Sequence, residues 1–198
     1  MNVHILMGKY RDRKYMSVWK TLASKVVFET PWLKVRHDDV ITPAGNPGQY
    51  GVVEFKNRAV GVVPVLDDGR IVMVRQTRYA IGNQSSLELP EGGAPQGEDW
   101  QQTAARELQE ETGYTAGEIE PLLTNFYLSN SVTNECGALF IARQLKAGEQ
   151  ELEETEDIQV ELHTFDDLLV MIRSGYITDA LTIMALLYIA VDRSRYNL

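Results

Sequence analysis

One segment of the chain, residues 92–114 with the sequence GGAPQGEDWQQTAARELQEETGY, constrains fold and chemistry more than any other. Its apolar positions recur at helical spacing and predict a helix over residues 98–112. Gly113 directly follows, at the place where a glycine commonly ends a helix in the left-handed conformation. The residues predicted to share the buried face are Ala104, Ala105 and Leu108.

The same helix carries three glutamates in its last turns, Glu107, Glu110 and Glu111, at positions i, i+3 and i+4. Like charges at this spacing repel, and anions at a helix C-terminus oppose the helix dipole, each at a cost of about a few tenths of a kcal/mol. A bound hard divalent cation would remove both costs. The charge pattern alone leaves two interpretations open, a metal site and an ordinary solvated helix face.

The order of glycine, acidic and basic residues in this segment is specific. It reads Gly92, five residues, Glu98, seven residues, REL, one residue, EE, one residue and Gly113. This pattern resembles the Nudix box at every fixed position, with Tyr114 where the family more often has an aliphatic residue. A chance match to so many restricted positions is improbable.

The resemblance extends over about residues 18–191. Segments such as VVPVLDDGRIVMVRQTRY, LELPEGG and EETEDIQV are similar to the ADP-ribose and nucleoside-diphosphate-sugar pyrophosphatase branch of the Nudix hydrolases. That branch implies an α/β (α+β) fold, a Nudix α/β/α sandwich with a mixed sheet, preceded by a small N-terminal antiparallel β-domain. We expect a tail over 1–17, a β-domain over 18–57 that is exchanged across a homodimer, and a Nudix domain over 58–198.

The strand-like runs agree with this organisation. Short β-type runs between Trp19 and Phe55 alternate with turn formers and predict a small antiparallel sheet. The runs AVGVVPVL and RIVMVRQTRY flank DDG, so we expect them to form a hairpin. Near the C-terminus ALTIMALLYIAV falls well short of the ~20 residues that cross a bilayer, and we expect a buried core helix there.

The resemblance implies a magnesium site on the box helix. Glu107 and Glu111 are expected to bind Mg²⁺, Glu110 to be a third ligand or to lie close to the ligands, and the backbone carbonyl of Glu91 to complete one site. Two or three Mg²⁺ ions per site are implied, with Mn²⁺ as the alternative. Hard cations of this kind take oxygen ligands and bridge carboxylates to substrate phosphates.

Three further box residues are expected to support this site. Arg106 is a natural orienting partner for the glutamates, and with Glu110 it belongs to the expected catalytic set. Glu98 either supports the site or is an acid at the helix start, where an anion suits the dipole. Gly92 allows the backbone to approach the metal closely.

The sequence EQELEETED at residues 149–157 has six carboxylates and no basic residue. Such runs are usually solvated, and most of this one keeps that interpretation. In the branch that the chain resembles, a loop at this place carries a catalytic glutamate and an acidic metal contact two residues later. This implies Glu154 as general base and Glu156 as a metal ligand, with Glu153 as the competing base.

Five residues are candidates for substrate contacts. Arg78 matches a family arginine placed to meet the diphosphate, whereas Arg75 is more plausibly exposed to solvent. Phe28 and Trp32 are candidates for stacking on a base, with a core role as the alternative for each. Glu135 matches an acid that accepts sugar hydroxyls.

The implied reaction is hydrolysis of the pyrophosphate bond of ADP-ribose or a related nucleoside diphosphate sugar. Ser129, Asn130 and Ser131 replace the SPG turn of many ADP-ribose pyrophosphatases. That departure leaves GDP-mannose and dinucleoside polyphosphates open as substrates. A non-catalytic nucleotide-sugar sensor is the competing class.

Composition restricts partners and compartment. Lys and Arg total 19 against 28 Asp and Glu, a net charge of −9, which is the wrong sign for a protein that grips nucleic acid. The single cysteine, Cys136, excludes an intrachain disulfide and fits a reducing compartment, so we expect a cytoplasmic protein without nucleic-acid or membrane partners. Cys136 is expected to be a small buried residue rather than a nucleophile.

Overall fold

A computed structural model describes residues 18–152, 154 and 156–198 of the chain. The predicted tail at 1–17 lies outside these residues. Two compact units follow one another, the first ending at Val53 and the second spanning Glu54–Leu198. No helix in the described ranges is long and apolar enough to cross a membrane.

The first unit is a three-stranded sheet in the order β1-β2-β3. Its strands are β1 (Lys20–Glu29), β2 (Leu33–Ile41) and β3 (Pro47–Phe55). β1 and β2 are antiparallel, with register shifts that interrupt the ladder twice. Every residue of β1 is exposed, including Val27 and Phe28 at 57% each. The predicted small antiparallel sheet is confirmed.

The second unit contains a four-stranded mixed sheet and a three-stranded antiparallel sheet. The mixed sheet has the order β7-β4-β9-β8, in which β4 and β9 are parallel. The other has the order β10-β5-β6. The strands are β4 (Arg58–Pro64), β5 (Ile71–Arg78), β6 (Gln84–Glu88), β7 (Glu91–Ala94), β8 (Tyr114–Tyr127), β9 (Cys136–Ala147) and β10 (Gln159–His163).

Three α-helices complete the unit, α1 (Trp100–Thr112), α2 (Phe165–Arg173) and α3 (Ala180–Val191). Each begins at a residue whose side chain accepts backbone N–H groups of the first turn, namely Asp99, Thr164 and Asp179. Such caps satisfy donors that a helix leaves free at its start. Two short 3-10 helices, Tyr79–Ile81 and Arg193–Tyr196, lie outside these elements.

The mixed sheet lies between two helical layers. Val60 and Val62 of β4 pack in one apolar cluster with Ala104 and Leu108 of α1. Val63, the residue after Val62, belongs to a second cluster that includes buried residues of α2 and α3. Because successive side chains of a strand point to opposite faces, both faces of β4 are buried. The α/β/α sandwich is therefore confirmed, and the apolar C-terminal run forms a core helix, as predicted.

One predicted pairing is wrong. The DDG sequence does form a tight turn, with Leu66 N–H donating to Arg70 O at 2.9 Å and Gly69 N–H to Leu66 O at 2.9 Å. The strands on either side of it do not form a hairpin, because β4 pairs with β7 and β9 while β5 pairs with β6 and β10. A single bridge, Val65 to Ile71, joins them. Strands buried on both faces read as continuous apolar runs, so the local pattern does not specify their partners.

The start of the box helix also differs from the prediction. The helix begins at Trp100, and Asp99 provides the cap by accepting from Gln101 N and Gln102 N at 3.0 and 3.2 Å. Glu98 therefore does not cap the helix. Ala105 is exposed rather than buried, whereas Ala104 and Leu108 lie in the core as expected.

Candidate active site

The last turns of α1 place two of the three box glutamates on the buried side of the helix. Ala104, Glu107, Leu108 and Glu111 follow one another at i, i+3, i+4 and i+7, which is one face of a helix. Glu107 and Glu111 are only 8% and 3% exposed. Glu110 lies beside this face, with 35% of its side chain exposed. Gly113 ends the helix at φ 74°, and its N–H donates to Gln109 O.

Gly92 provides room for Glu107. A Cβ atom at position 92 would overlap with the Glu107 carboxylate, so no residue with a side chain fits there without moving that carboxylate. The ladder between β4 and β7 pairs Gly92 with Val60 and fixes this approach. Glycine is thus required at this box position for a steric reason, because strand β7 and the Glu107 carboxylate are in close contact.

Arg106 connects several acidic groups. Its Nη1 lies 2.8 Å from Glu107 Oε1 and 2.8 Å from Glu110 Oε2, and its Nε lies 3.6 Å from Glu98 Oε1. Nη2 donates to the carbonyl of Gly93 at 3.3 Å. A guanidinium presents several donors in one plane and can hold neighbouring carboxylates in fixed directions. The orienting role of Arg106 stays a prediction, to which these contacts give a geometric basis.

Glu111 is tied to the strand that faces it. The backbone N–H of Glu91 donates to Glu111 Oε2 at 3.0 Å. The side chain of Glu91 accepts from Arg78 Nη2 at 3.1 Å through Oε1, while its buried Oε2 has no hydrogen-bond partner in the described part of the chain. Thr182 Oγ1 of α3 accepts from Leu89 N at 2.9 Å and holds the turn before Glu91.

Burial shifts the titration of these carboxyls. It raises the pKa of Glu107 to about 7, although the charge of Arg106 acts in the opposite direction. It raises the pKa of Glu111 to about 9, against the hydrogen bond from the Glu91 backbone. Burial, followed by the charge of Asp179, also raises the pKa of Glu91 well above its ordinary value. Burial disfavours the charged form of these carboxyls, and a bound cation would favour it.

Glu156 is the residue of the acidic loop whose charge affects the box glutamates. Burial is the largest cause of the raised pKa of Glu107 and Glu111, and the charge of Glu156 is a smaller cause that acts in the same direction. Glu154 lies exposed in a turn. Glu153, the competing base, lies outside the described residues.

The two candidate arginines are both paired with acids. Arg78 forms an ion pair with Glu88 and lies 3.1 Å from Glu91 Oε1, and 39% of its side chain stays exposed. Arg75 is not free in solvent, since it forms two hydrogen bonds with Glu161, one of them from Nη2 to Oε2 at 3.1 Å. The guanidinium carbon of Arg75 also lies 5.6 Å from the ring centre of Tyr176.

The remaining substrate candidates have different surroundings. Glu135, between β8 and β9, has its pKa raised by partial burial. Phe28 and Trp32 are 57% and 68% exposed, so neither is a core residue of its unit. Cys136 is buried, as predicted, and accepts from Arg58 Nη1 at 2.6 Å.

The donor set fits a hard divalent cation. In the part of the chain that the structure describes, no three His, Cys, Asp or Glu side chains are arranged so that they could hold a metal ion. Arg106 contacts both Glu107 and Glu110. The available ligands are nevertheless carboxylate oxygens, which such cations prefer. The buried Glu91 Oε2, which has no hydrogen-bond partner in the described part of the chain, is an unsatisfied polar atom near Glu111.

Comparison with known families agrees with this geometry. The profile described as "NUDIX domain" matches residues 55–183, and the profile described as "Nucleoside diphosphate sugar hydrolase N-terminal domain" matches residues 19–53. The chain belongs to the Nudix family. The resemblance predicted from the box is thereby confirmed, and Nudix hydrolases use divalent metal ions.

Individual Nudix relatives cover most of the chain. An ADP-ribose pyrophosphatase of Bacillus subtilis (strain 168) is 35% identical over 177 residues, 88% of this chain and 94% of the relative. A methanol dehydrogenase activator of Bacillus methanolicus is 32% identical with the same coverage. The fold is similar to the crystal structure of an ADP compounds hydrolase, with a TM-score of 0.78, 20% identity and coverage of 87% of this chain and 92% of that one.

Sequence reasoning missed two acidic side chains of this Nudix site. Glu88 is 2% exposed and accepts from Gln76 Nε2 at 3.2 Å as well as pairing with Arg78. The side chain of Glu91 was also not considered, since only its carbonyl was expected to matter. The available signal was two acids in LELPEGG directly before the box glycine, among residues that are otherwise apolar or small.

Proposed function

We propose that the protein hydrolyses the pyrophosphate bond of ADP-ribose or a related nucleoside diphosphate sugar. For ADP-ribose, water attacks phosphorus, the P–O–P bridge breaks, and AMP and ribose 5-phosphate form. The observation that carries the proposal is the intact Nudix box with Glu107 and Glu111 buried together against β7. The name of the Bacillus subtilis relative supports ADP-ribose as the first substrate to test.

We assign the cation site to the acidic end of α1. Glu107 and Glu111 would hold the metal, with Glu110, Glu156 and the carbonyl of Glu91 completing a site for two or three Mg²⁺ ions or Mn²⁺. A divalent cation bound there neutralises phosphoryl oxygens and lowers the pKa of the attacking water.

The protein's own residues supply orientation and proton transfer. Arg106 holds Glu107 and Glu110 through its 2.8 Å contacts. Glu154 takes the proton from water as it attacks, and its exposed position in the turn leaves its carboxylate accessible. Glu153 is the alternative base.

Substrate contacts follow from charge and exposure. We assign Arg78 to the diphosphate, because 39% of its side chain is exposed while Glu88 and Glu91 hold the guanidinium in position. Glu135 is assigned to a sugar or ribose hydroxyl. Arg75 is the weaker candidate for a phosphate contact, because Glu161 already takes two of its donors. Phe28 and Trp32 remain candidates for base stacking.

The function is tested by identifying products over a substrate panel with Mg²⁺. The panel contains ADP-ribose, GDP-mannose, UDP-glucose, dinucleoside polyphosphates and NADH, ranked by kcat/KM. We expect release of a nucleoside monophosphate from at least one nucleoside diphosphate sugar and loss of that release in EDTA. No metal-dependent release from any member would contradict the proposal and favour a non-catalytic nucleotide-sugar sensor.

We also propose that the first unit dimerises through β1. This strand carries exposed apolar residues along its length, among them Leu22, Val26, Val27 and Phe28. An exposed apolar strand at a sheet edge invites pairing and is usually covered in a native protein. Light scattering after size exclusion is expected to give a dimer for the wild type and a monomer for Val27→Glu. A wild-type monomer would contradict the proposal.

A further inference from the structure

The acidic loop between β9 and β10 is attached at its first end to the C-terminus of α1. Gln150 Nε2 donates to Glu111 O at 2.6 Å, and Glu151 N donates to Glu110 O at 2.9 Å. The last carbonyls of a helix have no partner within the helix, so these bonds satisfy them. They also attach the loop directly to the turn that carries the box glutamates.

The second end of the loop is attached to β5. Asp157 Oδ1 accepts from Thr77 N at 2.9 Å, and Asp157 Oδ2 accepts from Thr77 Oγ1 at 2.7 Å. The register that pairs Gln159 with Arg75 would place residue 157 opposite Thr77. The carboxylate of Asp157 thus accepts a hydrogen bond from the Thr77 N–H at the place where the β5–β10 ladder would continue. It marks the point where the loop joins the β5–β10 ladder.

These attachments matter because charge alone would drive the loop away. The loop is acidic, and so is the helix end that it approaches. Without cations the two repel, so the bonds at Gln150, Glu151 and Asp157 must hold the loop in place. Glu156 adjoins Asp157 in a loop whose first end is bonded to the turn that carries Glu111, and its position therefore depends most directly on the Thr77 contact.

We propose that Asp157 is a positioning residue, which by accepting both hydrogen bonds from Thr77 fixes where the loop leaves the sheet and holds Glu156 at the acidic end of α1. The inference rests on the proposed function for its catalytic consequence only. Asp157 is exposed, so its removal leaves no cavity in the core.

The test compares Asp157→Ala, Asp157→Asn, Thr77→Val and Thr77→Ser in the full chain. For Asp157→Ala we expect kcat with ADP-ribose and Mg²⁺ to fall about tenfold while KM changes less than about twofold, and Tm to fall by no more than about 2–4 °C, because the lost bonds lie at the surface. Asp157→Asn keeps an acceptor and Thr77→Ser keeps the donor, so both should recover most of kcat. The double variant Thr77→Val/Asp157→Ala should be no slower than Asp157→Ala.

A second readout needs no activity. Titration with Mn²⁺, followed by the electron paramagnetic resonance signal of the free ion, should show several-fold weaker binding in Asp157→Ala than in wild type. Asp68→Ala is the matched control, since Asp68 is an exposed aspartate that also accepts a backbone N–H, from Arg70 at 3.0 Å, before the other end of β5.

The two readouts separate the two proposals. Weaker Mn²⁺ binding in Asp157→Ala with unchanged binding in Asp68→Ala supports the inference even if the substrate panel shows no hydrolysis. Wild-type Mn²⁺ affinity in Asp157→Ala would overturn it, as would an equal loss in Asp68→Ala.

Discussion

Two acidic regions of this chain resemble each other in composition and differ in physical state. The end of α1 carries Glu107, Glu110 and Glu111, and folding buries two of the three. The loop at 149–157 has twice as many carboxylates, yet of those that are described only Glu156 is partly buried. Density of charge is therefore a poor guide to function here, whereas charge held against an apolar core is informative.

The two regions differ in the free energy that is needed to keep their carboxylates charged. An exposed carboxylate keeps its hydration, so the exposed loop acids need no partner charge to offset lost hydration. A carboxylate buried in an apolar face loses hydration and requires a partner charge or a proton. Arg106 and the backbone N–H of Glu91 compensate the helix pair in part. We attribute the rest of the compensation for the buried charge of Glu107 and Glu111 to bound cations.

The largest effect is expected for Glu107→Gln. The substitution removes a buried carboxylate that we propose as a metal ligand and leaves the side-chain size unchanged. We expect kcat/KM to fall at least about a thousandfold, because several kcal/mol of transition-state stabilisation would depend on the cation. The metal-free protein should be at least as stable as wild type, since a buried charge is lost. Kinetics and thermal unfolding in EDTA measure both. Activity within tenfold of wild type would show that the buried pair is not the cation site.

A loop acid with a chemical role should behave differently. Glu154→Gln is expected to lower kcat about a hundredfold or more with Mn²⁺ affinity unchanged, because only proton transfer is lost. Glu153→Gln is the paired variant, and Glu149→Gln is the control from the exposed part of the loop. Loss in Glu153→Gln with normal turnover in Glu154→Gln would transfer the role of base to Glu153.

Gly92→Ala adds one methyl group, which should displace the Glu107 carboxylate. The φ angle of Gly92 is not positive, so the cost arises from overlap with the Glu107 carboxylate and not from backbone strain. We expect Mn²⁺ affinity and kcat to fall about tenfold each, as for a displaced ligand. Gly51→Ala, where a Cβ meets nothing within 4 Å, should leave both unchanged. Equal values for Gly92→Ala and Gly51→Ala would contradict the steric role.

The smallest effect is the pH dependence of stability without metal. The pKa of Glu107 is raised from 4.5 to about 7 and that of Glu111 from 4.5 to about 9, so the folded state holds protons that the unfolded state has released. Stability contributed by these protons is complete below pH 4.5 and is lost as pH rises through 7 and 9. The Tm in EDTA should fall over this window, and the fall should be shallower in Glu111→Gln. Saturating Mg²⁺ should raise Tm more at high pH than at low pH.

Local pattern was sufficient for the box and insufficient for its surroundings. The stripe of Ala104, Glu107, Leu108 and Glu111 follows from the helical period alone, so burial of these two glutamates could have been predicted from the sequence. The incorrect burial of Ala105 came from grouping apolar residues without applying that period.

The remaining differences depend on contacts that no local signal reports. The expected β4–β5 hairpin was wrong because a turn sequence does not state which sheet each strand joins. The ion pairs of Arg78 with Glu88 and Glu91, which leave 39% of its side chain exposed, are contacts of this kind. Asp157 meets Thr77 across 80 residues of sequence. Sequence spacing identifies residues that share a face of one helix or strand. Contacts between residues of different elements can be identified only once the fold is known.

Binding of Mn²⁺ to the nucleotide-free protein tests the central claim most directly. Wild type, Glu111→Gln and Glu149→Gln would be titrated side by side, with free Mn²⁺ measured by electron paramagnetic resonance. The account predicts that Glu111→Gln loses high-affinity binding while Glu149→Gln binds as wild type does. Undiminished binding in Glu111→Gln, or its loss in Glu149→Gln, would show that the exposed loop acids, and not the buried helix pair, hold the cation.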